Sequence, residues 1–178
     1  MTQPLRVVLV EDRPSDAELI VLRLEEEGLD FEWSVVDTEA AYLAALDAAP
    51  HLILSDWNLP GFSGLRALEL MRDRGLEIPF VIVSGTIGEE AAVDAIHRGA
   101  DDYVLKDRLG RLGSAVNGAL ERKRLQDQQL RTEAELKLAA TVFASSAEGV
   151  TITDPAGTIV AVNAAFTRIT GYDEAEVL

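Results

Sequence analysis

Apolar runs and amphipathic stretches alternate five times over residues 1–107. Val7-Val8-Leu9-Val10, Leu52-Ile53-Leu54 and Phe80-Val81-Ile82-Val83 are unbroken apolar runs, the pattern of parallel strands covered on both faces. Phe31, Trp33 and Val35 instead alternate with Glu32 and Ser34, which predicts a half-exposed strand. The last run, Tyr103-Val104-Leu105, is short and follows two aspartates. Between the first two runs, Ala17, Ile20, Val21 and Leu24 keep the i, i+3, i+4, i+7 spacing of one helix face. Ser15 and Glu18 read as a capping box just after Pro14, and Gly28 as that helix's end. Thr38 is the expected cap of the second helix and Ser63-Gly64 the start of the third. Gly88-Glu89-Glu90 opens the fourth, and Gly99 closes it.

These patterns place strands 1, 3 and 4 at the centre of one sheet and strands 2 and 5 at its edges. Right-handed crossovers then give the order 2-1-3-4-5. The expected fold class is α/β, a flavodoxin-like (βα)5 doubly wound parallel sheet whose switch point lies between strands 1 and 3.

After Lys106 the texture changes. Residues from Leu109 to about Val142 lack proline, and their glycines lie in the first third. This predicts a fifth helix running on into a long, largely polar linker helix. Leu112, Val116, Ala119 and Leu120 are its expected sheet-packing residues. Beyond them, Leu125, Leu130, Ala134, Leu136 and Leu138 are spaced too irregularly, with Lys123 and Gln126 between heptad positions, to decide between a two-stranded coiled coil and a single solvated helix. Val150 to Thr153 and Thr158 to Val162 then read as two strands joined by the Asp154-Pro155-Ala156-Gly157 turn, with Asn163 capping a following helix. About 36 residues cannot bury an independent core, so this piece is expected to be the front of a larger domain. The organisation is 1–120, a linker over 121–142, and 143–178.

Charge separates the two parts. The net charge is −15, of which residues 1–107 carry −14. An acidic first part argues against nucleic-acid binding, which needs a clustered basic face. Absence of cysteine excludes disulfides and thiolate metal sites. No apolar stretch approaches the roughly 18 residues of a membrane span, so the expected location is the cytoplasm, without membrane contact.

Five polar residues follow the apolar runs: Glu11 and Asp12, Asp56, Ser84 and Lys106. If the runs are parallel strands, all five meet at the carboxyl edge of one sheet, where ligands of such sheets bind. Neighbouring carboxylates repel unless one is protonated or both share a cation. Oxygen-only ligation with few protein ligands suits Mg2+. Asp56 could then attack a phosphoryl group and form an acyl phosphate, with Lys106 supplying charge and Ser84 a hydroxyl donor. Taken singly, each residue has an ordinary reading as a turn, cap or solvated side chain; only their joint placement points to chemistry.

Four segments carry a resemblance: Val8-Leu-Val-Glu-Asp12, Leu54-Ser-Asp-Trp-Asn-Leu-Pro-Gly-Phe-Ser-Gly64, Val83-Ser-Gly85 and Gly99-Ala-Asp-Asp-Tyr-Val-Leu-Lys106. Residues 5–120 resemble the receiver domain of bacterial response regulators. The resemblance implies that Asp56 is the phosphoacceptor, supplied by a histidine kinase or a phosphotransfer protein. It implies Glu11, Asp12, Asp56 and the main-chain carbonyl of Asn58 as the Mg2+ site, Glu11 through water. Ser84 is the implied hydroxyl switch, Tyr103 its aromatic partner and Lys106 the phosphate-contacting lysine. Asp107 stands where the family usually has proline, so a rearranged loop is expected, with Asp107 capping the fifth helix.

Ala147-Glu-Gly-Val-Thr-Ile-Thr-Asp-Pro-Ala-Gly157, Val162-Asn-Ala-Ala-Phe166 and Ile169-Thr-Gly-Tyr172 resemble the opening of a PAS domain, for which no haem or flavin ligand can be named. The implied function is a two-component relay from Asp56 through the fifth helix and linker to a PAS or output module, with homodimerisation through that helix. The only chemistry expected of the chain is its own phosphorylation and dephosphorylation. The alternatives are a non-phosphorylated dimerisation or docking module, or part of a larger signalling enzyme such as a histidine kinase or cyclic-dinucleotide enzyme. An aspartyl phosphatase of similar fold would need a second aspartate two residues after the nucleophile, where this chain has Asn58. Trp57 is expected to be exposed beside the site, and His51 and His97 to be ordinary surface positions.

Overall fold

The alternating runs become five parallel strands: β1 (Leu5–Val10), β2 (Phe31–Val36), β3 (Leu52–Ser55), β4 (Phe80–Ser84) and β5 (Asp102–Leu105). Their order is 2-1-3-4-5, as expected. This is a computed structural model, and it describes residues 4–85 and 89–178; Gly88, expected to open the fourth helix, lies outside them. The chain divides into two units, Met1–Arg124 and Leu125–Leu178.

Strand alternation sends side chains to both faces of the sheet. Val7, Leu9, Leu52, Leu54, Val81 and Val83 pack with α1 (Pro14–Glu26) and the start of α5 (Leu112–Ser145). Val8, Val10, Ile53, Phe80 and Ile82 pack on the other face with α2 (Glu39–Asp47), α3 (Gly64–Asp73) and α4 (Glu89–His97). Both faces are covered, which is why the three central strands read as continuous apolar runs. The predicted faces hold: Ala17, Ile20, Val21 and Leu24 of α1 are buried, as are Leu112, Val116 and Ala119 of α5. Thr38 and Ser63 cap α2 and α3, accepting from the amides of Ala41 and Arg66.

Several local expectations are corrected. The capping box of Ser15 and Glu18 does not form: Arg13 holds the cap position, without a side-chain bond, and Pro14 starts the helix. Proline suits the first helical position because its missing N–H has no helical partner there. This moves Ser15 inside the first turn, where its hydroxyl faces Asp16 at 3.4 Å. Trp33 and Val35 are 47% and 41% exposed, in keeping with the half-exposed edge strand expected at β2. Trp57 is half-buried and packs against the second core cluster. Lys106–Arg111 forms a 3-10 turn, broken by Arg108 (φ −129°, ψ 39°), so α5 begins at Leu112 rather than Leu109. Asp107 therefore lies within that turn, five residues before α5, and does not cap it. The described peptide bonds are all trans.

In the second unit, β6 (Thr151–Thr153) and β7 (Ile159–Val162) form an antiparallel hairpin. Asp154 closes its turn by accepting from the amides of Ala156 and Thr158, both at 2.9 Å. Asn163 caps α6 (Ala164–Thr170) as expected. Its side chain also accepts from Val150 N and donates to the carbonyls of Phe143 and Glu148, using every polar position it has. A short α7 (Glu174–Val177) follows, with a capping box between Asp173 and Glu176. Among the described residues no helix is long and apolar enough to cross a membrane.

Candidate functional site

Strand register assembles the site. Val10 of β1 pairs with Ser55 of β3, and the amide of Asp56 donates to the Val10 carbonyl at 2.8 Å. The first residues beyond these strands, Glu11 and Asp56, therefore emerge side by side. Ser84 of β4 pairs with Leu105 of β5, which brings the serine hydroxyl and Lys106 to the same edge. The chain turns sharply after Asp56 and enters α3 at Gly64. A Cβ on Gly64 would lie 3.0 Å from Ser55 Oγ and still closer to the Asp56 carbonyl. Only glycine lets α3 start against the backbone of Asp56.

Glu11, Asp12 and Asp56 each offer a carboxylate oxygen within 4.8 Å of the others. Asp12 is exposed, whereas Glu11 and Asp56 are 2% and 9% exposed. Lys106 Nζ donates to all of Glu11 Oε2 (2.6 Å), Asp16 Oδ2 (2.7 Å) and Asp56 Oδ2 (2.8 Å). Asp56 Oδ1 also accepts from the amide of Asn58 at 3.3 Å, and Glu11 Oε1 from the amide of Arg13 at 3.1 Å. A cavity of about 560 Å³ opens over this cluster, lined by Asp12, Asp16, Asp56, Asn58, Ser84 and Lys106 among others.

The electrostatics follow from burial and pairing. Burial pushes the Glu11 carboxyl up, and its hydrogen bonds to Lys106 and Arg13 only partly offset that. The hydrogen bond from Lys106 holds Asp16 below the usual carboxylate range. For Lys106, burial pulls the ammonium down, but hydrogen bonds to Asp16, Asp56 and Glu11 outweigh it, and the net direction is up. Three carboxylates share the Lys106 ammonium and Asp12 lies beside them, so carboxylates outnumber Lys106 and the nearby Arg13 guanidinium. Hard oxygen donors in excess of cations suit a divalent metal such as Mg2+. Ser84 is 1% exposed, and its hydroxyl has no hydrogen-bond partner among the described residues. A buried hydroxyl at the cavity wall can donate to an anionic group bound there.

Of the expected site residues, Glu11, Asp12, Asp56, Asn58, Ser84 and Lys106 meet on this edge. Tyr103 sits one strand over, half-buried against the second core cluster, with the Arg111 guanidinium 5.8 Å from its ring centroid. His97 is exposed, and His51, just ahead of β3, accepts from the amide of Arg6; neither faces the cluster. The residue missed from sequence is Asp16. An acidic residue in the first turn of a helix is ordinarily explained by the helix dipole, which hides its reach to Lys106.

Comparison with known proteins agrees with the geometry. Residues 7–117 match the response regulator receiver domain family, and residues 137–178 match a PAS domain family. The chain is 34% identical over 103 residues to the phosphate regulon transcriptional regulatory protein PhoB of Klebsiella pneumoniae, covering 57% of this chain and 44% of that protein. It is 35% identical over 103 residues to the DNA-binding response regulator MtrA of Mycolicibacterium smegmatis, covering 57% of this chain and 43% of that protein. The chain thus spans less than half the length of these relatives. Among solved structures, the signal receiver domain of a putative Luxo repressor protein from Vibrio parahaemolyticus matches 71% of this chain and 97% of its own, at 29% identity and a TM-score of 0.64. The sheet order, the acidic cluster at its edge and a family match over 111 of 178 residues lead to one conclusion: the chain belongs to the response regulator receiver domain family, with a PAS-family segment after the receiver.

Proposed function

We propose that Asp56 accepts a phosphoryl group from the phosphohistidine of a histidine kinase or phosphotransfer protein, and that the acyl phosphate is the signal this chain carries. The observation supporting this reading is the convergence on Asp56: Lys106 Nζ at 2.8 Å, Glu11 and Asp12 within metal-sharing distance, and at the same cavity a Ser84 hydroxyl with no partner among the described residues. One Asp56 carboxylate oxygen attacks phosphorus, the P–N bond breaks, and the imidazole leaves with the electron pair. Lys106 neutralises charge on the phosphoryl oxygens, and the Ser84 hydroxyl donates to one of them. Glu11, Asp12, Asp56 and the Asn58 carbonyl would hold Mg2+, which when bound supplies charge neutralisation at the transferring group. In this reading the chain acts catalytically only on itself, through formation and hydrolysis of its own acyl phosphate.

The relay belongs to the same proposal. When Ser84 turns to the phosphoryl group, Tyr103 follows inward and the α4-β5-α5 face changes shape. The α5 helix carries the change toward the PAS segment and whatever output follows. Two copies pair along α5, where Leu125, Leu130, Leu136, Leu138 and Val142 are more than half exposed; sedimentation with and without phosphodonor tests this part. Mass spectrometry of the intact protein, after incubation with acetyl phosphate and Mg2+, tests the core. A gain of one phosphoryl group that Asp56→Asn abolishes is expected. No gain would favour a docking module that is never phosphorylated.

A further inference from the structure

Lys106 has three ammonium protons, and three different carboxylates take them. Two of the acceptors have other duties: Asp56 is the proposed phosphoacceptor, and Glu11 is 1% exposed in its side chain and belongs to the acidic triad. Asp16 differs from both. It lies outside that triad, on the first turn of α1, and its side chain is 22% exposed, the most accessible of the three. It lines the same cavity as Asp56, Ser84 and Lys106. An ammonium with no spare proton cannot grip a phosphoryl oxygen until one acceptor lets go. The acceptor that gives way most readily is the one water can resolvate.

Resting on the phosphoryl-acceptor reading above, we infer that Asp16 is a positioning residue: it competes with the phosphoryl group for Lys106 and so weakens the hold on a phosphorylated Asp56. Asp16 touches neither phosphoryl group nor metal; it acts through the lysine. Its release also explains how one lysine serves two states, tethered by three anions at rest and turned to the phosphoryl oxygens afterwards. Removing the Asp16 charge should therefore strengthen phosphoryl-group binding, whereas damage to a merely structural residue would weaken it.

Beryllofluoride, a phosphoryl mimic, is titrated into the full chain at saturating Mg2+ and followed by fluorine NMR. Asp16→Asn is expected to bind it about fivefold tighter than the unsubstituted protein, the scale of one partly solvated charge-assisted hydrogen bond. Asp16→Ala should move the same way. Glu18→Gln removes an equal charge from an exposed position two residues further along α1 and should leave affinity unchanged. Unchanged or weaker binding by both Asp16 variants overturns the inference. So does an equal gain in Glu18→Gln, which would make the effect general repulsion rather than competition for Lys106. If the unsubstituted protein itself fails to bind, the phosphoryl-acceptor reading fails and the inference falls with it.

Discussion

Replacing Lys106 with methionine removes the ammonium that binds the acidic cluster but keeps a side chain of similar length. Among the described residues, Glu11, with 1% side-chain exposure, then keeps the Arg13 amide alone and Asp56 the Asn58 amide. Removing one partner of a fully buried ion pair costs about 3–5 kcal/mol. Lys106 is 17% exposed and Asp16 22% exposed, so water softens the loss. The expected destabilisation at pH 7 without divalent cation is about 2–3 kcal/mol. Two conditions should shrink it. Millimolar Mg2+ should recover part, because a cation bound by Glu11, Asp12 and Asp56 replaces the lost charge and stabilises the folded state by mass action. Acid should shrink it too. Glu11 has a folded pKa raised above 4.5, so its charge, and the need for Lys106, disappears as pH falls through that raised value. In the unsubstituted protein the Lys106 contribution is complete below 10.5 and is lost as pH rises through its higher folded value. Urea unfolding of both proteins at pH 4.5 and 7, with and without Mg2+, measures the first two effects, and at pH 9, still below 10.5, the Lys106 contribution should equal that at pH 7. Equal stability within about 0.5 kcal/mol at pH 7 without cation would refute the view that Lys106 holds the resting cluster together.

Three further outcomes are expected. Ser84→Ala removes a buried hydroxyl with no partner among the described residues, so the resting protein should unfold at equal or slightly higher urea, by up to about 1 kcal/mol, while beryllofluoride binding weakens. Gly64→Ala forces a Cβ against the backbone of Asp56 and should cost about 2–3 kcal/mol in urea unfolding. Asn163→Asp points an anion at the carbonyls of Phe143 and Glu148, which now accept from its amide at 3.0 and 2.9 Å; hydrogen exchange should show amide protection at Val150 and Phe166 falling by about tenfold or more.

Much of this was legible in the chain because the informative residues sit where strand pattern fixes their position. Glu11, Asp56 and Lys106 each follow directly on a strand, and Ser84 is the last residue of one. Once the runs are parallel, their convergence is geometric. The broken run at β2 marks a half-exposed edge strand, and the exposure of Trp33 and Val35 agrees with it. Helix starts were readable where the capping residue stands alone, as at Thr38 and Ser63. At Pro14-Ser15 two start signals competed, and proline set the boundary. Asp16 escaped notice because its contact with Lys106 joins residues 90 positions apart, a separation that no local pattern encodes. The start of α5 was misplaced for a similar reason: Leu109 lies where a helical period would put an apolar residue, but the non-helical backbone at Arg108 delays the helix to Leu112.

Phosphoryl transfer to Asp56 would make its carboxylate a mixed anhydride. After incubation with acetyl phosphate and Mg2+, borohydride reduction converts an acyl phosphate to an alcohol that peptide mass spectrometry can locate. Homoserine at position 56 alone, absent without the phosphodonor and in Asp56→Asn, is the expected result. Reduction at Asp12 or Asp16, or a phosphoryl group that borohydride leaves in place, would contradict it.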